Sequence, residues 1–236
     1  MKSNVPVIIG ICFIIGMAVL GGYVATVRQS EKQLRVVGYA SKEFDSDLVK
    51  WTLGLQRTCE PGGLKAAYTN MGADVSAFKK LLLDNGLTEK EISIQPVTSM
   101  PVYSNYDSGN LLSYKLNQSV YVISGKMDAL EQLSLNPGFF ADRGVLVQTS
   151  NLSYLYTKLP DLKKQLLGEA TADALNRAKE IAQAAKVRLG KLKDARAGVF
   201  QITEPYSTEV SDYGIYNTNT RRKSITVTVT TAFRLK

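Results

Sequence analysis

The chain has 236 residues, 44% hydrophobic and 21% charged, the makeup of a folded protein of one domain or two small lobes rather than a disordered tail. It has no histidine and only two cysteines, Cys12 and Cys59, which excludes imidazole bases, His-containing triads, HExxH zinc sites and Cys-rich metal cages. The net charge of +8 comes from Lys and Arg interleaved with Asp and Glu, so no basic stripe for nucleic acid is expected.

From residue 3 to residue 27 there is no charged side chain. As a helix this run would extend about 34 Å, enough to span a bilayer, so a single uncleaved transmembrane helix is expected. Its apolar centre is too long for a cleaved signal peptide, and Ala25-Thr26-Val27 is a poor cleavage site. Residues 1–33 therefore read as an anchor and short connector, and 34–236 as the body. Arg28, Lys32 and Arg35 follow the apolar run against Lys2 before it, a bias that by itself points to a cytoplasmic body. Cys12 lies inside the apolar run and Cys59 is alone in the rest, so no intrachain disulfide is expected.

In the body, residues 34–39 have strand composition, and Val49, Trp51, Leu53 and Leu55 alternate with Lys50, Thr52, Gly54 and Gln56 in the period of a half-buried strand. Pro61-Gly62-Gly63 breaks the pattern. Leu64, Ala67, Met71, Val75, Phe78 and Leu82 then recur at steps of three and four up to Asn85-Gly86, an amphipathic helix with a C-terminal stop. A strand begins at Ile92 and runs toward Pro101, a polar turn covers 104–110, and 116–124 returns as a strand.

The second half repeats the order: strand 145–156, helix 159–186, strand 193–202 and strand 224–233. The helix carries the stripe Leu162, Leu166, Ala170, Ala174, Ala178, Ile181 and Ala185. In the last strand Ile225, Val227 and Val229 alternate with threonines. The expected fold is α+β: two β-α-β-β-like lobes, halves 34–125 and 145–236, with amphipathic helices on antiparallel or mixed sheets after the membrane helix.

Chemistry is sparse. No Walker A, GxGxxG or Cys-x-x-Cys sequence is present, and no cofactor or metal is expected. Glu43, Asp45 and Asp47 form a carboxylate cluster, but their spacing matches no complete calcium loop. Tyrosines are the more informative residues. Tyr103, Tyr106 and Tyr114 surround one polar loop and Tyr206, Tyr213 and Tyr216 populate another; amphipathic rings on loops suit protein interfaces, or they cover a sheet edge with the hydroxyl in water.

With these residues placed, the chain resembles the SIMPL-domain family. The likeness rests on Val36-Val37-Gly38-Tyr39-Ala40 with Asp45, on 82–87 (LLDNGL) followed by Ile92 and Ile94, on Pro101-Val102-Tyr103, and on 174–182 (ALNRAKEIA) leading to 189–192 (LGKL). The resemblance implies an α+β body, export to the periplasm or envelope, homo-oligomeric assembly in some members, links to stress tolerance in others, and no established active site. The expectation is therefore a noncatalytic protein in the inner membrane, single-pass with its body facing the periplasm. It self-associates, or binds an envelope protein partner, through its Tyr-bearing loops. The rival expectations are an envelope hydrolase using carboxylate or hydroxyl groups and a cytoplasm-facing interaction protein.

Overall fold

The computed structural model describes residues 5–29, 33–104 and 109–236, with side chains in the first segment described at 10, 11 and 13–23. Helix α1 (Val5–Gln29) comes first, then two long strands, β1 (Gln33–Asp45) and β2 (Leu48–Cys59). Helix α2 (Leu64–Asp84) is followed by β3 (Ile92–Ile94), β4 (Thr98–Tyr103) and β5 (Leu111–Ser124). Two short helices, α3 (Met127–Ser134) and α4 (Gly138–Ala141), lead into β6 (Leu146–Leu155) and the long helix α5 (Leu159–Ala184). The chain ends with β7 (Leu189–Ala197), β8 (Gln201–Thr203), β9 (Ile215–Tyr216) and β10 (Arg222–Leu235).

The fold is α+β with two five-stranded sheets. In the first, β2 lies between β6 and β5, and β3 and β4 pair end to end along the far side of β5. In the second, β10 pairs with β1 on one side and with β7 and β8, end to end, on the other; β9 runs parallel to β8. The two patterns match: a long strand, a longer C-terminal neighbour, and two short strands beyond it. The sheets do not follow the halves of the sequence, however. β1 completes the sheet of the second half, and β6 completes the sheet of the first.

One expectation is corrected outright. The membrane-crossing helix, and with it the membrane as partner and the inner-membrane location, is overturned: among the described residues no helix is long and apolar enough to cross a membrane. The connector at 30–32 lies outside the described residues.

Each sheet buries one face under one helix. The alternation in β2 places Val49, Trp51, Leu53 and Leu55 inward, all at most 1% exposed, against Met71, Val75, Phe78 and Leu82 of α2. Phe78 meets Trp51 edge-on at 5.6 Å between ring centroids, and the Trp51 Nε1–H donates to Ser150 Oγ on β6 at 2.9 Å, so the indole is buried without an orphaned donor. Helix α2 stops where Gly86 takes a φ of 85°. There the Leu87 N–H reaches back to the Leu82 carbonyl, the closure that an Asn-Gly pair favours.

On the second sheet, α5 buries Leu162, Leu166, Ala170, Ala174, Ala178 and Ala182. The expected stripe ended on Ile181 and Ala185, which are exposed. Strict four-residue steps follow an oblique ridge around the helix, so by its last turns Ala182 faces the sheet instead. The alanines let the helix come very close: a Cβ on Gly38 of β1 would lie 2.1 Å from the Ala170 carbonyl oxygen and 2.5 Å from the Ala174 nitrogen. Where β1 passes α5, the Tyr39 N–H donates to Asp173 Oδ2 at 2.8 Å.

Other differences are local. The expected strand 193–202 is two strands, split at 198–200, where the Gly198 N–H donates to the Thr228 carbonyl. β1 runs on to Asp45 and β5 begins at Leu111. Helices α3 and α4 were not expected; α4 delivers Phe140 onto Phe78, at 4.9 Å between centroids.

Candidate functional site

Among the described residues no helix covers the faces of the two sheets opposite α2 and α5, and the more featured of these faces belongs to the second sheet. Because β1 alternates, burying Val36, Gly38 and Ala40 against α5 turns Arg35, Val37, Tyr39 and Ser41 to the other side. Thr226 and Thr228 of β10 join them there, with Gln201 of β8 opposite Thr226 in register. The segment 204–214, between β8 and β9, runs beside this face. Its seat is fixed by Gln201, whose Nε2 donates to the Ser211 carbonyl at 2.7 Å, and by Asn217, whose Nδ2 donates to Glu204 Oε2 at 2.5 Å. The Glu204 carboxyl is held below its ordinary value by its own backbone N–H, and further by Asn217 and Ser207.

Two grooves open between segment and sheet. One, of about 540 Å³, is lined by Tyr39, Gln201, Val210, Thr226 and Thr228. The other, of about 380 Å³, shares Tyr39, Gln201 and Thr226 and adds Glu43 and Tyr206. A third, of about 530 Å³, lies between Tyr213 and Tyr216 and the start of α5 at Leu159 and Lys163. Glu43 is engaged by Arg222, whose Nη2 and Nε donate to its Oε2 at 2.6 and 3.0 Å.

The structure places the six tyrosines unevenly. Tyr206 and Tyr213 project almost wholly into solvent, 94% and 97% exposed, with Val210 between them at 82%. Tyr206 holds a φ of 66°, uncommon for a bulky side chain. Tyr216 is the second residue of β9 and is half exposed. Tyr103, on β4, is exposed, whereas Tyr114, on β5, packs partly against the core of the first sheet. Tyr106 lies outside the described residues. The two groups thus belong to different sheets, and Tyr39, which lines two of the grooves, was not among the six. Its signal was present: it is the middle of the exposed alternation Val37, Tyr39, Ser41.

The carboxylate cluster is taken apart by the fold. Glu43 pairs with Arg222, while Asp47 accepts from the Thr157 N–H at 2.7 Å and the Thr157 Oγ1–H at 2.6 Å, at the junction between the sheets. Among the described residues no group of three His, Cys, Asp or Glu side chains is placed to hold a metal ion. Cys59 is a free, partly buried thiol. Beside it, Arg57 is held by Asp74 of α2 at 2.6 Å and by the Arg143 carbonyl.

Compared with known proteins, residues 34–233 match the family model described as SIMPL, protein of unknown function (DUF541). No curated protein matches the chain.

Proposed function

The chain belongs to the SIMPL family, a family of unknown function, and from that premise we propose that it is a noncatalytic module that self-associates through the Tyr-bearing segment 204–216. The observation that carries this reading is the row Tyr206, Val210 and Tyr213, three large side chains more than four-fifths exposed, beside the half-exposed Val37 and Tyr39 of β1. Rings and aliphatic groups held in water on an anchored segment gain free energy when a second surface covers them. The grooves flanking the row, lined in part by Tyr39, Val210, Thr226 and Thr228 and by Val199, Phe200 and Ile202, offer concave seats for such rings. The +8 net charge repels a second copy at long range, so association tightens as salt rises. A link to stress tolerance is part of this proposal only as the setting in which assembly would act.

The test is a Tyr206→Ser/Tyr213→Ser double variant of the full chain, followed by light scattering over a concentration series. Half-association moves to at least tenfold higher concentration than in the wild type, with the melting temperature unchanged. The same half-association concentration in both proteins would remove this segment from the contact.

A further inference from the structure

A β-sheet ends in strands whose outward N–H and C=O groups lack partners, and natural proteins blunt such edges with charge, proline, brevity or cover. In this protein nearly every edge is blunted. β1 carries Arg35, Lys42 and Glu43 and has its Tyr39 N–H taken by Asp173 of α5. β7 carries Lys191, Lys193, Asp194 and Arg196. β4 contains Pro101, β3 has three residues and β9 two.

β6 is the exception. Among the described residues it pairs only with β2, and from Gly144 to Thr157 the sequence has no charged residue and no proline, in a chain that is 21% charged. The Tyr154 N–H points outward, because it donates to the Thr218 carbonyl of the loop before β10. Residues of the same parity, Ser150 and Leu152, therefore also turn their backbone N–H and C=O outward. Thr218 closes one end of this edge. The register shift opposite Gly54 and Leu55, which skips Gln148, ends it at the other. Between them the exposed stretch 149–151 and the half-buried Leu152 and Ser153 form a short, uncharged edge.

We infer that this edge pairs with the same edge of a second copy, antiparallel about a two-fold axis at Asn151. In that register the Ser150 N–H donates to the Leu152 carbonyl of the second copy and the Leu152 N–H to its Ser150 carbonyl. The two-fold repeats both bonds, and the two first sheets become one. The occupant is a second copy because the edge is its own complement: identical strands in antiparallel match every outward donor with an acceptor. The absence of charge matters most for self-pairing, since any Lys or Glu near Asn151 would face its own image. This inference rests on the self-association proposed above but uses the opposite sheet, so each copy has two separate contacts and assembly proceeds beyond a pair. A seam this short is weak alone and adds to the other contact rather than replacing it.

The experiment is amide hydrogen exchange on the full chain at low and high concentration, for the wild type and for Asn151→Lys, an exposed substitution that installs the missing protective charge. Peptides covering 149–153 slow at least fivefold at high concentration in the wild type. In Asn151→Lys the slowing is absent and the assembled species are smaller, with an unchanged melting temperature. Exchange at 149–153 that does not depend on concentration while the protein is assembled overturns the seam and leaves self-association standing. Slowing that survives in Asn151→Lys overturns it as well. A chain monomeric at every concentration overturns both readings, whereas slowing at 149–153 in the Tyr206→Ser/Tyr213→Ser variant with unchanged association supports the seam and removes only the role of segment 204–216.

Discussion

Two residues of the second sheet show how much a single side chain decides here. Gly38 has no room for a methyl group, because the Ala170 carbonyl and Ala174 nitrogen of α5 occupy the space; Gly38→Ala pushes helix from sheet and costs about 2–4 kcal/mol, measured by urea unfolding. Lys223 is the opposite case, a side chain with 0% exposure whose Nζ donates to the Thr220 carbonyl. Burial pushes its amine down from 10.5 to about 8. Below pH 8 the folded protein must keep a buried ammonium, and this cost is present in full. Between pH 8 and 10.5 the unfolded chain binds more protons than the folded one, so stability from this group rises with pH through that window. Lys223→Met therefore stabilises the protein by roughly 1–3 kcal/mol at pH 7 and removes that part of the alkaline gain, as unfolding at pH 7 and pH 9.5 will register. Both residues were partly legible. Gly38 sits among the residues that carry the family resemblance, and Lys223 shares the inward parity of Ile225 and Val227, but a strand begun at residue 224 leaves it out of account.

Among the elements, those with a long hydrophobic period were readable and those defined by tertiary pairing were not. The alternation of β2 and the three-and-four spacing of α2 are local, and both appear in the structure within a few residues of their expected ends. Their junction is the core of the first sheet, so Phe78→Ala, which removes a ring that touches Trp51, Phe139 and Phe140, costs about 3–5 kcal/mol in denaturant unfolding. Helices α3 and α4, of 8 and 4 residues, are too short for a period to show. The division of β7 from β8 is set by β10, whose Thr228 carbonyl takes the Gly198 N–H, and no feature of 193–202 alone announces it. The apolar run at the amino terminus had the strongest composition signal and led to the membrane expectation that the structure overturns. The tyrosine segments were visible as composition, but their division between two sheets depends on pairings that span the chain.

For the molecule as a whole, the exchange of β1 and β6 ties the two sheets into one unit. β1 pairs with β10 from Gln33 opposite Arg234 to Asp45 opposite Arg222, a closure that local sequence pattern does not reveal. The crossover is secured by Asp47 on Thr157, by the Ser46 N–H on the Arg221 carbonyl, and by Arg221 on Asp128 at 2.6 Å. Asp47→Ala leaves the Thr157 N–H without its acceptor and costs about 1–3 kcal/mol. Since neither sheet is complete without a strand from the other half, unfolding is one cooperative transition. The fluorescence of Trp51, the single tryptophan, and the far-ultraviolet dichroism of the whole chain coincide along a urea titration; two separate midpoints would show that the sheets melt independently.

Self-association is the claim on which the functional account turns, and sedimentation velocity on the full chain over a thousandfold range of concentration tests it most directly. The account predicts a mean mass that climbs well above the 25.9 kDa of one chain as concentration rises, and climbs further in high salt. A single species of 25.9 kDa at every concentration and salt would contradict it.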